Sequence, residues 1–173
     1  MSLKQIANIR IGICSVTFNG VDLGHTLDGV SFDLKRTFVP LMVDKYGTTP
    51  IDQALQGTDL DIKMKFAEPV LDLLQQVYPE GDWRSGTAGK RMGLGADAGT
   101  LVRANSYQLT LHPVSMADTS EDIVIYNAVN INNIVLEYSI KNQRVIECSF
   151  QALVNESQVS GRRLGHIGLT NVS

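Results

Sequence analysis

A mainly β fold is the expectation from this sequence: a β-sandwich or open barrel with one short α-helix packed against it, long loops and terminal arms. Three observations carry it. The stretch Asp59 to Ala67 alternates with period 2, Leu60, Ile62, Met64 and Phe66 on one side and Asp59, Asp61, Lys63 and Lys65 on the other, the pattern of a strand with one buried and one wet face. Several other β-branched runs are separated by turn-forming residues, and no repeat is detectable. Only one stretch has helical spacing: after Pro69, the residues Val70, Leu73, Leu74 and Val77 recur at i, i+3, i+4 and i+7 until Pro79 and Gly81 stop them.

The elements follow in order. Residues 1–9 read as an N-terminal arm, polar with a few aliphatic anchors. Arg10 to Phe18 reads as a strand, and Asn19-Gly20 is the strongest short hairpin signal, with Val21 to Leu23 as the return. Thr26 to Asp44 is a longer strand in which Val30, Phe32 and Leu34 alternate with Ser31, Asp33 and Lys35. Pro40 within it argues for a sheet edge or a bulge between Phe38 and Leu41. Asp44 to Gly57 reads as a polar connector punctuated by Gly47, Pro50 and Gly57, followed by the strand 59–67 and a helix over 69–78. Residues 80–99, rich in glycine with Trp83 as the one large anchor, read as a loop of nearly twenty residues. Further strands are expected over Thr100 to His112, Ile123 to Val129, Ile134 to Ile140 and Arg144 to Asn155. Residues 10–155 thus form the β core of a single domain, and 156–173 read as a C-terminal arm.

Composition narrows the function. The 173 residues are 43% hydrophobic, enough for one ordinary core. A net charge of −3 and a pI near 5.5 argue against a protein that grips nucleic acid through its phosphates. No apolar run reaches the length of a membrane span, and the first residues lack the apolar centre of a signal peptide, so a cytosolic product is expected. Cys14 and Cys148 lie in strand-like runs and read as small buried hydrophobes.

Motif-like features do not resolve into an enzyme. Residues 86–91, GTAGKR, approach a phosphate loop, but Arg84 stands where its first glycine belongs and Arg91 where Ser or Thr would hold magnesium. Gly93-x-Gly95-x-x-Ala98 follows no strand and opens no helix, as a dinucleotide fingerprint must. His25, His112 and His166 have no cysteine or carboxylate at ligand spacing. No serine sits in a nucleophile elbow, and neither cysteine has a nearby histidine. Asp59 and Asp61 would be neighbours on a polar strand face with Lys63 and Lys65, the pattern of a solvated surface. No catalytic residue, metal or cofactor is assigned. What remains is a sheet protein with polar strand faces, two arms and two long connections. These features suit a subunit completed by its neighbours.

The segment Asp44-x-x-Gly47-Thr-Thr-Pro50-Ile51-Asp52-x-x-x-x-Gly57, the strand ending at Ala67-Glu68 and the helix VLDLLQQVY resemble the major tail tube proteins of long-tailed bacteriophages. The opening arm, the hairpin at Asn19-Gly20 and the strand DGVSFDLKR at 28–36 are arranged similarly. The resemblance covers most of residues 10–80 and, more loosely, the strand order to about residue 155. It implies a virion structural protein assembled in the host cytoplasm, forming hexameric rings that stack into a tube for DNA ejection. The partners implied are further copies of the chain, a tape-measure protein, and tail terminator and tail-tip proteins, with DNA passing through the lumen without specific binding. The inter-ring contact would fall on Asp44, Lys45, Tyr46, Gly47, Pro50, Asp52 and Gly57. Ser31, Asp33, Lys35, Asp59, Asp61, Lys63 and Lys65 would face the lumen. Two alternatives stay open: a tube protein of a contractile tail or secretion apparatus, and a monomeric β-barrel that binds a small ligand.

Overall fold

The computed structural model describes residues 12–95, 97–141 and 143–169. The N-terminal arm expected at residues 1–9 and the last four residues lie outside the described residues. Ten strands and one α-helix run in the order β1 (Cys14–Phe18), β2 (Val21–Asp22), β3 (Thr26–Leu41), β4 (Asp52–Phe66), α1 (Leu71–Val77), β5 (Asp82–Gly86), β6 (Gly89–Gly93), β7 (Tyr107–Pro113), β8 (Ile123–Asn130), β9 (Ile146–Ala152) and β10 (Gly165–Ile167). Eight strands form one antiparallel sheet in the order β2-β1-β7-β8-β9-β4-β3, with β10 joining the free side of β8 beside β9. Among the described residues no helix is long and apolar enough to cross a membrane.

The sheet folds over on itself, so that β1, β7 and β8 face β9, β4 and β3 across one core, a β-sandwich. Val16 and Phe18 from one side meet Ile62, Met64, Phe66, Cys148 and Phe150 from the other. The rings of Phe18 and Phe150 lie 5.0 Å apart. The period-2 pattern that defines β4 is the reason: Leu60, Ile62, Met64 and Phe66 are all buried, while Asp59, Lys63 and Lys65 stay at the surface. Helix α1 closes the core with Leu73, Leu74 and Val77. Its first expected apolar position, Val70, caps the helix and stays exposed.

Local chemistry explains the turns. Asn19 and Gly20 both have positive φ, 52° and 75°, as a two-residue hairpin turn with native twist requires. Asp28 and Gly29 are also left-handed and bulge out of β3, so that Leu27 pairs with Lys65 and the next pair is Val30 with Met64. Pro40 lies on β3, the last strand of the sheet order, with an irregularity at Thr37/Phe38. An edge strand accommodates a residue with no amide proton.

Four expectations are corrected. The loop expected over 80–99 contains the hairpin β5–β6, anchored where Trp83 pairs with Met92 and donates its indole N–H to the Tyr78 carbonyl at 3.1 Å. A single Trp–Met pair leaves no alternation to read. The strand expected over Ile134 to Ile140 does not form: no strand lies between Asn130 and Ile146 among the described residues. Ile134 and Leu136 pack on the core, but no neighbouring strand supplies a ladder. The C-terminal arm is not wholly separate from the core. Gly165–Ile167 pairs with Ile123–Ile125, and Tyr126 Oη lies 2.9 Å from His166 Nδ1. Finally, the polar connector 44–57 is largely regular structure, with consequences taken up next.

Candidate assembly surface

Strand β9 pairs with β4 only over Asp61–Phe66. Beyond that point, among the described residues, β4 has one neighbour strand, β3, and the two continue as a ribbon from Leu34–Leu41 and Asp52–Leu60. Nine residues of extended chain make an arm about 30 Å long. Its tip is a defined turn: Asp44–Tyr46 form one turn of 3-10 helix, Gly47 has φ 60°, and the Ile51 amide donates to the Leu41 carbonyl at 2.8 Å.

The residues expected at an inter-ring contact divide between two settings. Asp44, Lys45, Tyr46, Gly47 and Pro50 share the tip, with the Lys45 ammonium 5.4 Å from the Tyr46 ring centre. Asp52 and Gly57 are instead strand residues, paired with Leu41 and Thr37. Pairing with β3, interrupted only by the irregularity at Thr37/Phe38, overrides the low strand propensity of Asp, Gln and Gly there.

What sequence reading missed is the arm's apolar surface. Leu34, Phe38 and Leu55 occupy the side that continues the core face, and Val39 and Leu41 occupy the opposite side. Met42, Val43, Tyr46 and Ile51 surround the tip. All nine are exposed. The signal was present in Phe38 to Val43 (FVPLMV), an apolar run with no alternation. A strand buried on one face alternates, so such a run marks a strand that needs cover on both. Clustered exposed apolar side chains are a feature of surfaces that meet other proteins.

The polar residues proposed as lumen-facing come together on one face. Ser31 pairs with Lys63, Asp33 with Asp61 and Lys35 with Asp59, and Lys65 stands beside Glu147 of β9. The same face continues through Ser149 and Gln151, so three strands contribute to it. Lys35 donates to Asp61 at 2.8 Å and lies 3.5 Å from Asp33; Lys65 is 3.1 Å from Glu147 and 3.8 Å from Asp28. The hydrogen bond and charge of Asp61, then the charge of Asp33, raise the pKa of Lys35; Glu147 does the same for Lys65. Asp28, Asp33, Asp59, Asp61 and Glu147 outnumber Lys35, Lys63 and Lys65, so the assembled face is more acidic than the β4 stretch alone. Asp28 and Glu147 join this face in addition to the residues expected there.

On the opposite side of the arm's base lies an apolar groove of about 700 Å³, bounded by Phe32, Leu34, Leu55 and Leu60 on one wall and by Ile123, Val154 and Leu164 on the other. Arg36, Arg162 and Arg163 also line it. The histidines are dispersed: His112 Nδ1 is 2.6 Å from Asp122, His166 contacts Tyr126, and His25 lies 3.7 Å from Glu68. Cys14 and Cys148 are both free thiols, Cys148 fully buried and Cys14 half-buried. No protein-family model matches the chain, and comparison with curated proteins finds no significant relative.

Proposed function

We propose that this chain is a structural, self-assembling subunit of the tail-tube type; its resemblance to phage tail tube proteins implies hexameric rings stacked into a tube. The observation that carries the reading is the β3–β4 arm. It projects an exposed apolar surface on both faces and at its tip, on a strand pair that its own sheet does not cover. A lone monomer gains nothing from this exposure, whereas a neighbouring subunit would bury it. The arm's tip and base lie at different places on the molecule, so a contact between one and a neighbour's body is heterologous and can propagate into a filament.

The polar face on β3, β4 and β9 supports a lumen role. Lys35 and Lys65 are held by carboxylates, and the acids of this face outnumber its lysines, so a passing polyanion finds no run of free cations to neutralise its phosphates. In this reading the tape-measure protein occupies the tube during growth, terminator and tip proteins close its ends, and DNA is cargo.

The test is light scattering and negative-stain electron microscopy over a concentration series, on the full chain and on a shortened one. The shortened chain replaces Pro40–Gln53 with Asn-Gly, closing the ribbon at the Val39–Ala54 pair. The full chain is expected to give rings or tubes of uniform width, and the shortened chain a folded monomer. Normal tubes from the shortened chain would refute the arm's role. A full chain that stays monomeric at every concentration, with tape-measure and tip proteins present, would refute the function and favour a small ligand in the apolar groove.

A further inference from the structure

The segment 133–141 is a strand in sequence and not in structure. Ile134, Leu136, Tyr138 and Ile140 alternate with Val135, Glu137, Ser139 and Lys141. Yet among the described residues no backbone–backbone hydrogen bond involves any residue from 133 to 141. Its apolar side starts on the core, where Ile134 and Leu136 pack, and then runs off it: Tyr138 is 80% exposed and Ile140 fully so. Apart from the Lys141 amide, which donates to Ser139 Oγ at 3.1 Å, the strip offers backbone without a ladder beside apolar side chains, which is what an added β-strand recognises.

The chain also carries the complementary feature. Among the described residues β3 pairs only with β4 and ends the sheet order, leaving its outer edge along residues 31–41 without a partner strand. At the arm's base that edge presents Leu34, half exposed, next to Phe32, packed on the core.

We propose that residues 134–141 become an ordered strand by pairing antiparallel with the outer edge of β3 in a second copy of this chain, with Tyr138 opposite Leu34. This register sets Ile140 opposite Phe32 on the apolar side. On the other side it sets Glu137 opposite Lys35, an opposite-charge pair. A slip of one residue turns every side chain to the wrong face, placing Glu137 against Leu34 or Arg36. The strip and the edge are different surfaces, so the contact is heterologous and leaves a free strip and a free edge at the ends of any assembly. The inference rests on the self-assembly reading but on a different surface from the arm's tip.

Glu137→Pro and Tyr138→Pro test it. In an antiparallel pair alternate amides point to the partner, so one of these adjacent positions must donate into the ladder. Neither amide is bonded in the monomer, so both variants are expected to melt close to the parent, and one to raise the assembly concentration about tenfold or more. Leu34→Cys combined with Tyr138→Cys is expected to give a ladder of disulfide-linked multimers under mild oxidation, and each single variant none. Assembly at the parental concentration by both proline variants would overturn the proposal. So would equal cross-linking by an out-of-register pair, Leu34→Cys with Glu137→Cys. If shortening the arm abolishes assembly while the proline variants assemble normally, the tube reading stands and this contact falls. A parent that never assembles removes both.

Discussion

The pair Phe38 and Leu55 offers the most direct measure of the arm's purpose. The two residues are cross-strand partners on one face of the ribbon, 44% and 57% exposed. Phe38→Ser with Leu55→Ser removes both. Within the monomer the loss is a cross-strand contact on an exposed ribbon, about 0.2–1 kcal/mol. In an assembly that covers them, each residue still has about half of its surface to bury. Fully burying such a side chain contributes about 1.5–3 kcal/mol, so half of it is worth about 1 kcal/mol per residue and about 2 kcal/mol for the pair. At about 1.4 kcal/mol per tenfold, the concentration at which tubes appear should rise about 30-fold. The assay is sedimentation of tubes across a dilution series, alongside thermal melting of the unassembled protein by circular dichroism. An unchanged assembly concentration with an intact monomer would show that this face meets solvent throughout, and the argument from exposed apolar surface would fail. A monomer melting far lower than the parent would show instead that the ribbon is part of the cooperative core.

Three further outcomes follow from the same geometry. Phe66→Ala, at a fully buried position, should cost about 3–5 kcal/mol in urea unfolding, whereas Val135→Ala on the exposed strip should change little. Burial pushes the Cys148 thiol from its ordinary 9.0 up to about 12; the unfolded chain therefore releases that proton first, and stability should fall as pH rises from about 9 towards 12, by up to about 4 kcal/mol. Comparing pH-dependent denaturation of the parent and Cys148→Ala isolates this contribution from the raised lysines, whose stabilisation is present below about pH 10.4 and lost as pH climbs through their folded values. Gly165→Ala would place a Cβ 2.3 Å from the Val124 carbonyl oxygen, so hydrogen exchange at 123–125 should quicken as β10 detaches.

The parts of the fold that were legible in the sequence are those where one local pattern meets one kind of burial. β4 alternates because one side is core and the other water, and the Asn19-Gly20 turn is dictated by backbone conformation alone. Helix α1 was legible from its apolar stripe, although Val70, which fits the spacing, lies at the cap and escapes burial. The arm was only half legible. Asp44 to Gly57 carries the residues of a loop, and nothing local states that β3 lengthens the ladder past residue 52. The hairpin β5–β6 failed for the same reason, with pairing contributed by Trp83 and Met92 across a glycine turn. The polar face is legible strand by strand, but Glu147 and Asp28 reach it only through tertiary pairing, which no local pattern announces.

Two of the disagreements between sequence pattern and structure point in opposite directions, and the difference is informative. At 44–57, loop-like residues are ordered because a neighbouring strand of the same chain supplies hydrogen-bond partners. At 134–140, strand-like residues remain irregular because no strand of the same chain does so. Strand formation depends on having a partner far more than on intrinsic preference, so the first segment takes its order from within the chain and the second lacks a source there. Both expose groups that the chain itself does not partner: the arm exposes side chains without cover, and the strip exposes backbone without a ladder. A sequence selected to fold alone would replace Tyr138 and Ile140 with charged residues and shorten the arm, since each exposes apolar surface near an open edge. Their presence together on one small domain fits the subunit proposed above, whose secondary structure its neighbours would complete.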